Sequence, residues 1–198
     1  MSETPLIALV GNPNVGKSAL FNVLTGARQK IGNYPGVTVE RKAGKLMLGD
    51  QKAELIDLPG TYGLDATSLD EQVTRDVILG QQQGQRRPDI LAVVMDASNL
   101  ENHLRFALEL RALGCPMILI MNMADLAARD GLELSAQYLR DQLDVAVIET
   151  VAVRRRGLDD FKEQCTKLIA QGIASPKTTS TPIIGCLLYT SPSPRDRG

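Results

Sequence analysis

Strand-length apolar runs alternate along the chain with stretches of helical spacing. The runs predict strands near Ile7–Val10, Arg41–Leu48, Lys52–Asp57, Ile90–Met95, Met117–Met121 and Val145–Thr150. Between them, Lys17 to Leu24 reads as a helix. Ser68-Leu69-Asp70-Glu71 has the S-x-x-E capping pattern and predicts a helix to about Leu79, which Gly80 ends. Ser98-Asn99-Leu100-Glu101 repeats the pattern and predicts a helix that stops before Gly114-Cys115-Pro116. Leu134–Leu143 is a further helix. Leu158 to Ala170 is another, with Leu158, Phe161, Cys165, Leu168 and Ile169 on one face as core packing. Strands alternating with helices predict an α/β domain with a mostly parallel six-stranded sheet and helices on both faces. Gly49-Asp50 joins two runs as a hairpin, so one strand should run antiparallel to the rest.

The character changes after Gly172. Ser175-Pro176-Lys177-Thr178-Thr179-Ser180-Thr181-Pro182 reads as a linker, and 183–198 lacks a usable period. The expected organisation is one nucleotide-binding domain over 1–172. Residues 173–198 are then a linker or tail, either a truncated second domain or a segment not native to it.

Net charge is −1 and 43% of residues are hydrophobic, which suits a soluble globular domain and argues against nucleic acid as partner. Arg154-Arg155-Arg156 is the one dense basic cluster and reads as a solvated loop. Cys115, Cys165 and Cys186 have no metal-ligand spacing; the first two are expected to be buried thiols. His103 is expected to be a surface or half-buried residue. No signal peptide is visible at Met1-Ser2-Glu3-Thr4-Pro5, and no apolar run approaches the ~20 residues a membrane helix needs.

Chemistry concentrates at strand ends. Directly after Leu6-Ile7-Ala8-Leu9-Val10 stands Gly11-Asn12-Pro13-Asn14-Val15-Gly16-Lys17-Ser18, the G-x-x-x-x-G-K-S phosphate loop. Gly11 and Gly16 let the backbone curl round a polyphosphate, so that several N–H groups point inward. Lys17 supplies a cation for the outer phosphates, the Ser18 hydroxyl a Mg²⁺ ligand, and the following helix the positive end of its dipole. Asp57-Leu58-Pro59-Gly60 ends another predicted strand. Asp57 there can hold Mg²⁺ through a water, and the Gly60 N–H can sense a terminal phosphate. Between these motifs lies Gly32-Asn33-Tyr34-Pro35-Gly36-Val37-Thr38-Val39-Glu40, glycine-rich and expected to be a mobile switch. Gly36, Val37, Val39 and Glu40 then flank the nucleotide, and Thr38 completes the Mg²⁺ shell. Thr61-Tyr62-Gly63-Leu64 and the helix after it form a second switch.

Asn122-Met123-Ala124-Asp125 resembles the guanine-recognition element of the small GTPases. A carboxylate at Asp125 can accept both the N1–H and the 2-amino donors of guanine, a pair that adenine lacks. Asn122 would brace the loop, and Met123, where the usual motif has Lys, would cover the base by apolar contact only. The loop Val151-Ala152-Val153 should bring a backbone N–H, that of Ala152, to guanine O6. An Asn/Asp helix cap is the alternative for Asn122 and Asp125.

In that order, the phosphate loop, Asn-Tyr-Pro-Gly-Val-Thr-Val-Glu, Asp-Leu-Pro-Gly-Thr-Tyr and Asn-Met-Ala-Asp resemble the cytosolic G domain of the bacterial ferrous iron transport protein B family, over roughly 5–170. The resemblance implies a P-loop GTPase fold and GTP/GDP as ligands. It also implies a membrane transport domain elsewhere in the full-length protein, at the cytoplasmic face of the bacterial inner membrane. It implies K⁺ bound by Asn14 beside the phosphates, where a cation could act as an arginine finger does. The implied activity is Mg²⁺-dependent, K⁺-stimulated GTP hydrolysis by Lys17, Thr38, Gly60, Thr61 and Asn14. Thr61 stands where Ras-like enzymes place the water-orienting Gln, so the intrinsic rate should be slow. Two alternatives remain: an exchange switch with incidental turnover, and a ribosome-assembly GTPase.

Overall fold

Leu6, Ile7, Ala8, Leu9 and Val10 are all fully buried, which places their strand at the centre of the sheet. The computed structural model describes residues 3–26, 29–132 and 135–172. Its strands are β1 (Leu6–Val10), β2 (Gln29–Asn33), β3 (Glu40–Leu48), β4 (Gln51–Asp57), β5 (Ile90–Asp96), β6 (Met117–Asn122) and β7 (Ala146–Glu149). They form one 7-stranded sheet in the order β2-β3-β4-β1-β5-β6-β7. Only β3 runs against the rest, pairing antiparallel with both β2 and β4. The helices are α1 (Lys17–Thr25), α2 (Leu69–Leu79), α3 (Leu100–Ala112), α4 (Ala124–Arg129), α5 (Ala136–Leu143) and α6 (Leu158–Ala170).

Alternate residues of the central strands feed two cores. Leu6, Ala8 and Val10 pack with Val73, Val77 and Ile78 of α2 and Phe106 and Leu110 of α3. Ile7 and Leu9 face the other way, onto Leu20 and Phe21 of α1 and Phe161 and Cys165 of α6. Helices therefore cover both faces, and Cys115 and Cys165 are buried as expected. Leu48 pairs with Gln51 across Gly49-Asp50, the predicted hairpin.

Four expectations need correction. The sheet has a seventh strand, because Gln29–Asn33 pairs along the outer edge of β3. Its side chains are almost all exposed, so it buries no alternating apolar face that a hydrophobic pattern could reveal. The segment read as an open glycine-rich loop is built on a hairpin: Asn33 pairs with Glu40, the Tyr34 N–H donates to the Val39 carbonyl, and the Tyr34 ring is buried, with 34–39 as its tip. Ser98 does not cap α3. It sits in a 3₁₀ turn, where Asp96 accepts both its N–H at 2.8 Å and its hydroxyl at 2.6 Å. His103 is buried, against the half-exposed expectation, because α3 turns it inward beside Leu104 and Phe106.

Ser68 caps α2 by accepting the Glu71 N–H, and Gly80 closes it in the left-handed conformation, both as predicted. On α6 only Leu158, Phe161 and Cys165 of the apolar stripe are fully buried; Leu168 and Ile169 pack partly against the core. Leu134, Cys186 and the tail 173–198 lie outside the described residues. Among the described residues no helix is long and apolar enough to cross a membrane.

Candidate functional site

The loop from β1 to α1 runs over the carboxyl ends of the parallel strands, where open α/β sheets bind ligands. α1 starts with no side-chain cap and no acidic residue in its first turn, which leaves its N-terminal N–H groups to an anion. Gly16, at φ 88°, is needed for a close approach: a Cβ there would stand 2.3 Å from Asn122 Nδ2. Asn14 also takes positive φ and lies exposed at the crest of the loop.

Beside this loop lies a cavity of about 230 Å³, lined by Lys17, Ser18, Val39, Glu40, Lys42, Asp57, Leu58, Pro59, Gly60 and Asp70. The Ser18 hydroxyl donates to Asp57 Oδ2 at 3.1 Å. Asp57 Oδ1 is buried with no partner. Burial pushes the Asp57 carboxyl above its ordinary range, opposed by the Lys17 charge and the Ser18 hydrogen bond. Burial likewise lowers Lys17; Asp57 opposes the shift and Lys42 adds to it. A hydroxyl beside a buried, under-satisfied carboxylate is a donor set that fits a hard, oxygen-seeking cation such as Mg²⁺. Among the described residues no three His, Cys, Asp or Glu side chains gather to hold a metal.

At the other end of the site Asn122 is a buried brace. Its Nδ2 donates to the Val15 carbonyl at 3.1 Å, and its Oδ1 accepts from Thr150 Oγ1 at 3.1 Å and from the Ala152 N–H at 3.2 Å. The phosphate loop, the Asn-x-x-Asp turn and the Val151-Ala152-Val153 loop are thus tied to one side chain. The Ala152 N–H, expected to face a base, is engaged by Asn122. Met123 adopts φ 60° and starts α4, with Asp125 in its first turn and partly exposed. Arg154 Nη2 lies 3.8 Å from Asp125 Oδ2, and Val153 is 81% exposed on the same loop.

Not every candidate converges. Thr38 is exposed at the hairpin tip and does not line the cavity, which Val39 and Glu40 reach instead. Thr61 is buried: its hydroxyl donates to the Gly63 carbonyl at 2.7 Å, and its N–H donates to the Gly11 carbonyl at 3.1 Å. Gly60 lines the cavity and packs against Pro13. Lys42 and Asp70 line it too, and sequence reasoning passed over both. Lys42 pairs across the sheet with Asp57 and shares a strand face with Glu40, whose carboxylate it meets at 3.1 Å. Its register was the only available signal.

Strand order and loop placement make this a P-loop domain of the GTPase class. Residues 5–165 match the family model described as ferrous iron transport protein B, and the chain belongs to that family. It is 46% identical over 160 residues to the Fe(2+) transporter FeoB of Shigella flexneri, covering 79% of this chain and 20% of that protein. The chain thus spans about a fifth of the length of the curated relatives it matches. The crystal structure of the G domain of the T. maritima FeoB iron transporter superposes with a TM-score of 0.76 at 37% identity, over 84% of this chain and 99% of that one. The cytosolic domain of the same transporter in its GMPPNP form gives 0.78 at 38%, over 83% and 63%.

Proposed function

We propose that this chain binds GTP with Mg²⁺ and hydrolyses it to GDP and phosphate, as the regulatory G domain of a longer ferrous iron transporter. The observation that carries the reading is the Ser18–Asp57 pair beside Lys17 on the cavity next to the phosphate loop. The GMPPNP form of the T. maritima relative supports a triphosphate as the ligand. Ser18 and Asp57 would hold Mg²⁺, Asp57 through a water. Bound there, the ion supplies neutralising charge to the β- and γ-phosphates. The Asn14 carboxamide, a neutral oxygen donor at the exposed loop crest, would hold K⁺, which supplies further positive charge beside the phosphates.

The protein's own groups have distinct roles. Asn14 to Ser18 wrap the phosphates with backbone N–H groups, and Lys17 pairs with the outer ones. Phosphate charge eases the cost of burying the Lys17 ammonium. The Gly60 N–H meets the terminal phosphate, and Thr38 joins the Mg²⁺ shell if the hairpin tip moves inward with Gly36 and Val37. Asp125 reads the guanine edge, Met123 and Val153 cover the base, and the 151–153 backbone closes round it. The Thr61 hydroxyl is held by Gly63, so backbone groups rather than this side chain would place the attacking water, and hydrolysis is slow. The same inward turn of Thr61 favours a second reading, an exchange switch with incidental turnover.

In the whole protein the domain would lie at the cytoplasmic face of the bacterial inner membrane, linked to the domain that carries Fe²⁺, with no nucleic acid partner. The test is phosphate release from GTP and from ATP with Mg²⁺, in matched KCl and NaCl. GTP-selective release, faster in KCl and losing that advantage in Asn14→Ala, is the expected result. Tight GTP binding without release supports the exchange switch, and equal use of ATP overturns the guanine assignment.

A further inference from the structure

We propose that Glu109, on α3 and outside every nucleotide motif, is a positioning residue that ties the second switch to α3 and so sets Gly60 at the phosphate cavity. The inference rests on the GTPase reading. Glu109 Oε2 accepts the Leu64 N–H at 3.2 Å, across 45 residues of sequence. Its other oxygen accepts from Arg105 Nε at 3.3 Å, one turn back on the same helix.

The segment between Glu109 and the phosphate loop is a short chain of hydrogen bonds. Leu64 is fixed by Glu109. Its neighbour Gly63 accepts the Thr61 hydroxyl at 2.7 Å and donates its N–H back to that oxygen at 3.3 Å. The Thr61 N–H then reaches the Gly11 carbonyl of the phosphate loop at 3.1 Å. Gly60, next in line, borders the cavity. A carboxylate on α3 therefore holds one end of the segment and the phosphate loop holds the other. Gly63 lies against the same carboxylate: a Cβ there would stand 3.1 Å from Glu109 Oε2, so Gly63→Ala makes that oxygen give by a few tenths of an ångström. Glu71 of α2 anchors the other half of the stretch, with its Oε1 3.4 Å from the Thr61 hydroxyl and its carboxylate accepting from the Tyr62 backbone, so Glu109 is what holds the Leu64 end.

A charge-assisted bond to a backbone N–H is stronger than a neutral one, and it draws on no core packing. Losing it loosens the Leu64 end of the segment, next to Gly63 and Thr61, without opening the sheet. Gly60 then samples positions away from the terminal phosphate, an interaction needed in the transition state more than for holding GDP.

The experiment compares wild-type chain with Glu109→Ala, Glu109→Gln, Gly63→Ala and the Gly63→Ala/Glu109→Ala double variant. It measures steady-state GTP hydrolysis, fluorescent GDP affinity, thermal melting, and hydrogen–deuterium exchange of 60–64. Glu109→Ala should lower kcat roughly tenfold, the loss of one charge-assisted hydrogen bond, with KM and GDP affinity held within about twofold. Glu109→Gln keeps a carbonyl acceptor for the Leu64 N–H and should restore most of the rate. Gly63→Ala should mimic Glu109→Ala and add nothing to it in the double variant.

Unchanged kcat in Glu109→Ala overturns the proposal. So does a Gln variant no better than Ala, or a parallel fall of kcat, GDP affinity and melting temperature. If wild-type chain releases no phosphate, the GTPase reading fails by itself. Exchange then decides the tie: faster exchange of 60–64 in Glu109→Ala supports it, and unchanged exchange sinks it.

Discussion

Asp125 and Asn122 stand three residues apart and do different work. Asp125 is partly exposed at the start of α4, free to meet a ligand once Arg154 gives way. On the proposed guanine reading, Asp125→Asn removes a charged acceptor for two base donors. At about 1.5 kcal/mol for each charge-assisted bond, GTP affinity should fall about 10²-fold, read by titration with a fluorescent analogue. Asn122 is buried and saturated. Asn122→Ala strands the Val15 carbonyl, the Thr150 hydroxyl and the Ala152 N–H. Chemical denaturation should show a loss of about 3 kcal/mol, with no change in the strands themselves. Lys42 lines the cavity as a second cation. Lys42→Met should weaken GTP about fivefold and GDP less, because the added charge of the third phosphate is what a cation there meets; paired titrations with the two nucleotides decide it.

At the scale of elements, α3 carries a pH response. Burial lowers the His103 imidazole below its ordinary value of 6.5, with Asp96 pulling the other way, and its Nδ1 has no partner. As pH falls through 6.5 the unfolded chain takes up the proton first, while the folded chain does not until a lower pH. Stability is therefore full above 6.5 and declines as pH drops toward the folded value. His103→Leu should flatten the fall in melting temperature between pH 7 and 5.5, compared with wild type by thermal scans. This residue also shows where sequence reading stops. Helical spacing identified α3, yet a single His does not reveal whether its side of the helix meets the sheet. β2 failed for the opposite reason: its backbone pairs with β3 while its side chains stay in water, so pairing left no mark on the hydrophobic pattern. β1, β5 and β6 were legible because parallel strands covered on both faces must be continuously apolar.

For the whole molecule, both cores close within the described residues, and α6 seals the second of them. A chain ended at residue 172 keeps every described core residue, so it should melt within about 2 °C of the full chain and bind GTP equally well, compared by thermal scans and titration; a large drop overturns that expectation. The sequence by itself determined the α/β plan, the phosphate loop, the Asp57 strand end and the Asn-x-x-Asp turn. Each of these is a local rule: a period of apolar residues, or a short motif whose spacing is its chemistry. Tertiary structure alone decided that Thr61 turns inward, that Thr38 stays outside the cavity, and that Lys42 and Glu109 face functional loops. Those outcomes depend on which groups meet across long stretches of chain, Lys42 with Asp57, Leu64 with Glu109 and Thr61 with Gly11, a matter of register and packing that no local pattern encodes.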